Sequence, residues 1–157
     1  MLRFEGERAF PHHTPEAVWA KLSDARFLVQ CIPDVREVRE ESAEKAVCIL
    51  RPGFAFVRGT LEVTLRVAEA VSPSSIRLAL SSKGIGTSSE VEATISVSPQ
   101  ETGTRVQWVA EVKSLGGLLK AVPQGLIRGA AQKVVNDAWT SVENRLNQPP
   151  PSPEPEK

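Results

Sequence analysis

Residues 57–67 read VRGTLEVTLRV, and apolar and polar side chains alternate along this stretch. One set consists of Val, Gly and Leu, whereas the other consists of Arg, Thr and Glu. A period of two is typical of a strand that buries one face and exposes the other. The stretch therefore predicts an antiparallel sheet with one dry and one wet face.

The same alternation recurs on both sides of this stretch. Apolar side chains occupy every second position in segments that begin at Leu2, Ile76, Val91 and Val106. Turn-forming residues separate the segments that follow the N-terminal one, at 41–44, 52–53, 72–74, 84–86 and 99–103. Short strands with regular turn signals between them predict a meander.

Two short helices are predicted between the first strand and the meander. Thr14 is a suitable N-cap and Pro15 suits the first helical position, so the first helix should run to about Leu22. Asp24 can cap a second helix, which Pro33 should end.

The C-terminal part changes to a helical period. Apolar residues recur every three or four positions from Leu119 to Leu146, which predicts one helix over about 117–146 with a kink at Pro123. The fold class predicted is α+β: a helix-grip fold in which a curved seven-stranded antiparallel sheet surrounds this long helix, with the two short helices after the first strand. Residues 1–147 form this single domain, and the proline-rich residues 148–157 are expected to be a disordered tail.

Composition narrows the class of function. Among 157 residues, 19 are Lys or Arg and 19 are Asp or Glu, so the formal net charge is zero and a nucleic-acid-binding protein is disfavoured. Cys31 and Cys48 lack zinc-binding spacing, which favours reduced thiols and no metal site. The charged N-terminus and the lack of a long apolar run predict a cytoplasmic protein with no membrane span. No cofactor is predicted.

Several short motifs resemble the CoxG family of carbon monoxide dehydrogenase proteins. They are VWAKL at 18–22, FL at 27–28, CIPDV at 31–35, Val38, VRGTL at 57–61, GTRV at 103–106, GG at 116–117 and LI at 126–127. Together they cover about residues 2–147. The chain departs from the family at Asp34, where glycine is usual, and at Pro123, within a helix that normally has none.

The resemblance implies a START-like protein of the helix-grip lipid-binding (SRPBCC) superfamily, whose members enclose an apolar cavity between sheet and helix. It further implies a non-enzymatic accessory protein of a carbon monoxide dehydrogenase-type molybdenum hydroxylase. Such a protein would hold a quinone or a lipid and would associate peripherally with the inner face of the membrane.

A cavity is also expected from the residues, although a fully packed core is the alternative. Small side chains recur where the two layers should meet, at Gly59, Ala93, Ala110, Ala130, Ala131 and Ala138, and they leave space that larger side chains would fill. The residues predicted to bind the ligand share the inward parity: Val57, Leu61, Leu80, Ile95, Trp108, Leu119, Val122 and Leu126.

No catalytic residue is predicted. His12 and His13 are interpreted as a solvated loop pair, and Cys31 as a buried structural thiol that would line one end of the cavity. One alternative is a cyclase or hydrolase of the same fold that acts on an apolar polycyclic substrate, which would need polar groups inside the cavity. Another is a chaperone-type interaction module, for which no motif is present.

Overall fold

A computed structural model of the chain describes residues 2–51 and 59–147. The seven strands within these residues form one antiparallel sheet in the order β1-β7-β6-β5-β4-β3-β2. The strands are β1 (Arg3–Phe10), β2 (Val35–Glu41), β3 (Lys45–Leu50), β4 (Leu61–Val71), β5 (Ser75–Gly84), β6 (Thr87–Gln100) and β7 (Gly103–Gly117). Consecutive strands from β2 to β7 are neighbours, and β1 closes the other side against β7. The predicted helix-grip fold is confirmed.

Two short helices follow β1, as their capping residues predict. Helix α1 (Pro15–Leu22) begins after Thr14, whose hydroxyl accepts a hydrogen bond from the Ala17 amide at 3.1 Å. Helix α2 (Ala25–Cys31) begins after Asp24, whose carboxylate accepts from the Arg26 amide at 2.9 Å. The indole of Trp19 donates to the Ser75 carbonyl at 3.1 Å and so ties α1 to β5.

The sheet curves because two of its long strands contain bulges. Ala68 in β4 and Lys113 in β7 each lack an opposite residue, since the register shifts beside them. A bulge bends its strand and increases the local twist. The bulge in β7 also changes which residues face inward, from the even positions up to Val112 to the odd position Leu115.

The C-terminal helix is shorter than predicted. Strand β7 continues through Gly117, a 3-10 helix covers Leu118–Ala121, and helix α3 covers Gln124–Asn147. The predicted start near 117 and the predicted kink at Pro123 are therefore wrong. Pro123 immediately precedes α3, and its carbonyl accepts from the amides of Leu126 and Ile127. Proline is tolerated there because the first amides of a helix have no partner within it.

The C-terminal half of α3 holds the helix on the rest of the molecule. Trp139 and Val142 are buried, and Glu143 forms a half-buried ion pair of 3.3 Å with Arg8 of β1. Arg145 donates to the Gln30 side chain of α2 at 3.2 Å. The N-terminal half buries Ile127 but exposes Leu126. The sheet, α2 and α3 leave an enclosed space between them.

Candidate functional site: an apolar cavity under the C-terminal helix

A cavity of about 340 Å³ lies between the inner face of the sheet and α3. The sheet contributes Phe4, Leu50, Val63, Leu65, Leu78, Leu80, Ser81, Ser82, Ser89, Val91, Ala93, Ile95, Trp108, Ala110 and Val112. The helices and the segment after α2 contribute Leu22, Leu28, Cys31, Ile32, Pro33, Ala131, Val134, Val135, Ala138, Trp139 and Val142. Most of these side chains are apolar, so the wall favours an apolar occupant.

The cavity exists because small side chains meet in its middle. Ala93 of β6 lies opposite Ala110 of β7, and Ala110 lies opposite Phe4 of β1. Ala131 and Ala138 face this region from α3. Alanine side chains at these positions leave the two layers apart, whereas larger side chains would fill the gap. The expectation from the small residues is met at Ala93, Ala110, Ala131 and Ala138.

Gly59, named with these alanines, lies elsewhere. It is exposed, it has a backbone φ of +109°, and a Cβ atom there would lie 3.4 Å from the Ile85 side chain. Gly59 therefore serves the loop before β4, where a left-handed backbone favours glycine, and it does not separate the layers.

Two tryptophans stack at one end of the cavity. The rings of Trp108 and Trp139 lie 5.8 Å apart, centroid to centroid, at an interplanar angle of 22°. Trp108 lies across Gly6 of β1, where a Cβ atom would come within 2.9 Å of the indole ring. Within the described part of the chain, the buried Trp108 Nε1 has no hydrogen-bond partner.

Hydroxyl groups lie at the other end. Ser82 of β5 and Ser89 of β6 are opposite each other, and their Oγ atoms are 2.5 Å apart. Trp108 lies opposite Ile95, six residues along β6 from Ser89, which places the tryptophans and the serines roughly 20 Å apart at about 3.4 Å per residue. The cavity wall thus has two separate polar points in an apolar surface.

Cys31 also lines the cavity, as predicted from the sequence. Its thiol donates a hydrogen bond to the Phe27 carbonyl at 3.5 Å, and burial raises its pKa from 9.0 to about 11. Burial likewise raises the pKa of Cys48. A thiol with such a pKa is protonated at neutral pH and is a poor nucleophile.

The histidines lie outside the cavity wall. His12 is exposed in the loop after β1, and His13 forms a hydrogen bond of 2.9 Å with Asn147 at the end of α3. Across residues 2–51 and 59–147, no group of three or more His, Cys, Asp or Glu side chains is arranged to hold a metal ion.

Three of the eight residues predicted to bind a ligand line the cavity: Leu80, Ile95 and Trp108. Leu61 is half-buried at the start of β4 and lies beyond the wall. Val57 lies outside the described residues.

The other three residues of that prediction precede or begin α3. Leu119 and Val122 are half-buried beside the core, and Leu126 is 54% exposed. The cavity wall contains none of them. They were assigned to the wall on the assumption that the helix crosses the sheet from 117 onward. Strand β7 and the 3-10 helix instead occupy this stretch, so the helical wall begins at Ala131.

The sequence prediction missed the contribution of the N-terminal elements. Phe4, Leu22, Leu28 and Ile32 line the cavity from β1, α1, α2 and the segment after it. The alternation that starts at Leu2 assigned Phe4 to an inward face, so that signal was present. The packing of α1 and α2 against the rim of the sheet carries no comparable signal, because helices of eight and seven residues display only about two turns.

No helix in the described ranges is long and apolar enough to cross a membrane. Solved structures with the same fold include a conserved protein of Geobacillus kaustophilus, with 23% identity, a TM-score of 0.80, and coverage of 92% of this chain and 95% of that one. A protein of Chromobacterium violaceum has 16% identity, a TM-score of 0.68, and coverage of 94% and 98%.

A protein of Silicibacter pomeroyi described as AHSA1 also has 16% identity, with a TM-score of 0.63 and coverage of 92% and 97%. No curated protein matches the chain. The family model for the carbon monoxide dehydrogenase protein CoxG matches residues 12–147. This match spans both short helices, strands β2 to β7 and α3, which together form most of the cavity wall. The chain therefore belongs to the CoxG family of carbon monoxide dehydrogenase proteins.

Proposed function

We propose that the protein is a non-enzymatic carrier of the SRPBCC superfamily that holds an apolar molecule, a quinone or a lipid, and serves a carbon monoxide dehydrogenase-type molybdenum hydroxylase. The observation that carries the proposal is the cavity of about 340 Å³ with its predominantly apolar wall. Burial of apolar surface supplies affinity at roughly 25 cal/mol per Å², so a ligand that fills such a space needs few polar contacts.

The chemistry of the wall favours a carrier over a cyclase or hydrolase. Acid–base or nucleophilic catalysis needs a titratable group near its working pKa and a partner within hydrogen-bond reach. The wall offers three serines and Cys31, and burial raises the pKa of the Cys31 thiol to about 11. These groups suit the positioning of a ligand better than its conversion.

The hairpin tip between β5 and β6 supports membrane association. Ile85 is 39% exposed and Leu118 is 65% exposed, and the Leu118 amide donates to the Gly86 carbonyl at 2.9 Å, so the two side chains lie on adjacent segments. We call Ile85 and Leu118 the apolar tip. Lys83 and Lys120 flank it in sequence and are exposed. Apolar side chains beside cations suit the surface of a bilayer that contains anionic lipids. Such binding would place the protein at the inner face of the membrane.

The ligand can be identified directly. Native mass spectrometry of protein purified from its own host, followed by organic extraction, should find a neutral apolar compound in about one copy per chain. Extracts of Ala110→Phe, in which the cavity is filled, provide the matched control and should lack the compound. A parent protein that carries no compound and binds no apolar probe would contradict the carrier function.

The membrane and partner steps need separate measurements. Co-sedimentation with vesicles of phosphatidylglycerol and phosphatidylcholine should fall about tenfold for Ile85→Asn combined with Leu118→Asn, whereas Val38→Asn, which removes an exposed valine on β2, should have no effect. Association with the dehydrogenase should appear as co-purification of the hydroxylase subunits with the tagged parent. Equal sedimentation of all variants would exclude the apolar tip as the membrane contact.

A further inference from the structure

Ser82 and Ser89 form a polar site in an otherwise apolar part of the wall. On the inner face of the sheet, Ser82 lies between Val63 and Ser89, and Ser89 lies between Ser82 and Leu115. The next inward residues along the two strands are Leu80 and Val91, which also lie opposite each other. The two hydroxyls are therefore surrounded by apolar neighbours on the sheet, and both line the cavity.

The hydrogen bonds of this pair leave capacity for a ligand. Each serine hydroxyl can donate one hydrogen bond and accept two. The Oγ atoms bond to each other at 2.5 Å, and neither has another partner among the described residues. One hydroxyl hydrogen and several lone pairs therefore remain unused. Ser81, the third serine of the wall, belongs by the pleat of β5 to the opposite face.

The charge of the wall limits the kind of group that can bind there. No Lys, Arg, Asp or Glu side chain of the described residues lines the cavity. A carboxylate or an ammonium group buried in such a space would lack a counter-charge, which is costly. An uncharged oxygen can accept from the free serine hydroxyl, and an uncharged hydroxyl can also donate to it.

We propose that the Ser82–Ser89 pair binds the uncharged oxygen-bearing head, a hydroxyl or a carbonyl, of an elongated apolar ligand whose chain extends toward Trp108 and Trp139. The proposal rests on the carrier function and adds the chemical class and the orientation of the ligand. It also implies that acids with the same chain are discriminated against.

The test compares four ligands with chains of similar length: octane, octanol, hexyl methyl ketone and octanoate. Their affinities are measured by displacement of Nile red from the parent, from Ser82→Ala/Ser89→Ala, from Ser96→Ala and from Trp108→Phe. Ser96 is exposed on β6 and provides the matched serine control. Trp108→Phe removes the other unpartnered donor of the wall. Comparison of each ligand across variants cancels the different solubilities of the ligands in water.

We expect the double variant to bind octanol or the ketone about fivefold more weakly, the effect of about one hydrogen bond, and octane as tightly as the parent does. A loss for octanol alone assigns a hydroxyl head, a loss for the ketone alone assigns a carbonyl head, and either result supports the proposal. Octanoate should bind the parent at least tenfold more weakly than octanol. Removal of both serines leaves no unpaired partner, so melting temperatures should stay close to that of the parent.

Three outcomes would overturn the inference while leaving the carrier function intact: unchanged octanol and ketone affinities in the double variant, an equal loss in Ser96→Ala, or a loss seen only in Trp108→Phe. The single variants Ser82→Ala and Ser89→Ala repeat the comparison if the double variant does not fold. Failure of the parent to bind Nile red or any of the four ligands is a different result, because it contradicts the carrier function itself.

Discussion

Asp34 adopts a backbone φ of +67° between α2 and β2. This is the position at which the sequence departs from the glycine usual in the family that it resembles. The left-handed region favours glycine, and aspartate is among the few other residues that tolerate it. The Asp34 carbonyl accepts from the Arg51 amide at 3.0 Å, so the conformation joins the start of β2 to the end of β3. The departure therefore preserves the backbone shape that glycine would provide.

Replacing Asp34 should reveal this strain. We expect Asp34→Gly to change the free energy of unfolding by less than about 1 kcal/mol, because relief of strain is offset by greater freedom of the unfolded chain. Asp34→Val should destabilise the protein by about 1–3 kcal/mol, since a β-branched residue is poorly accommodated at this φ. Urea denaturation of the three proteins measures both differences. Equal stability of the Val and Gly variants would show that the turn is not strained.

Cys31 should make the stability depend on alkaline pH. Burial raises its pKa from 9.0 to about 11, so the folded state favours the protonated thiol. The resulting stabilisation is fully present below pH 9 and is lost as the pH rises through about 11, because the unfolded chain releases the proton first.

At pH 11 this loss should amount to about 2 kcal/mol for the parent. The measurement is the free energy of unfolding of the parent minus that of Cys31→Ala, taken from pH 8 to pH 11. Subtraction removes the titration of lysines, and the sequence contains no tyrosine. A difference that stays constant over this range would contradict the burial of the thiol.

At the scale of single elements, the β5–β6 hairpin carries a residue that its turn does not favour. Its two loop residues, Ile85 and Gly86, have φ values of +57° and +71°. A two-residue hairpin loop of this kind favours Asn-Gly, and a β-branched residue at the first position is strained. Strain retained at an exposed apolar position agrees with the proposed contact of Ile85 with a membrane.

Ile85→Asn should therefore have opposite effects on stability and on binding. We expect the free energy of unfolding to rise by about 1 kcal/mol, since asparagine suits the turn, while association with anionic vesicles falls. Thermal denaturation and vesicle co-sedimentation measure the two effects on the same preparation. Ile85→Val, which keeps both the strain and the apolar side chain, is the control and should resemble the parent in both assays. A variant that loses stability and keeps vesicle binding would contradict this account of the hairpin.

The junction between β7 and α3 shows a limit of sequence patterns at the same scale. Apolar spacing from Leu119 to Leu146 is helical throughout, yet the first part of this stretch forms a 3-10 helix and α3 starts after Pro123. Proline is compatible with the first turn of a helix and disrupts the interior, and the spacing alone does not distinguish these cases. Pairing of Thr87 and Ser88 with Gly117 and Gly116 extends β7 and so decides where the helix can begin.

At the scale of the whole molecule, the cavity separates a carrier from a plain packed domain. Ala110 lines the cavity opposite Ala93, whereas Ala46 is fully buried and lies outside the wall. We expect Ala110→Phe to occupy free space, to change stability by less than about 1 kcal/mol and to abolish Nile red binding. Ala46→Phe should cost about 1–3 kcal/mol or more, because no space exists there.

Urea denaturation and dye titration of both variants provide the measurement. Equal, large losses of stability in the two variants would mean that Ala110 lies in a packed core. Near-parental stability of Ala110→Phe with undiminished dye binding would instead place the dye site elsewhere on the protein.

The sequence by itself determined the order of elements, the antiparallel meander, the two capped helices and the inward parity that places Leu80, Ile95 and Trp108 at the cavity. These features depend on local signals, namely a period of two, capping residues and turn residues. The tertiary structure decided the extent of α3, the contribution of Leu22, Leu28 and Ile32 to the wall, and the meeting of Ser82 with Ser89. Such features depend on strand register, on bulges and on the packing of helices over the sheet, which join residues distant in sequence and leave no periodic signal in either partner.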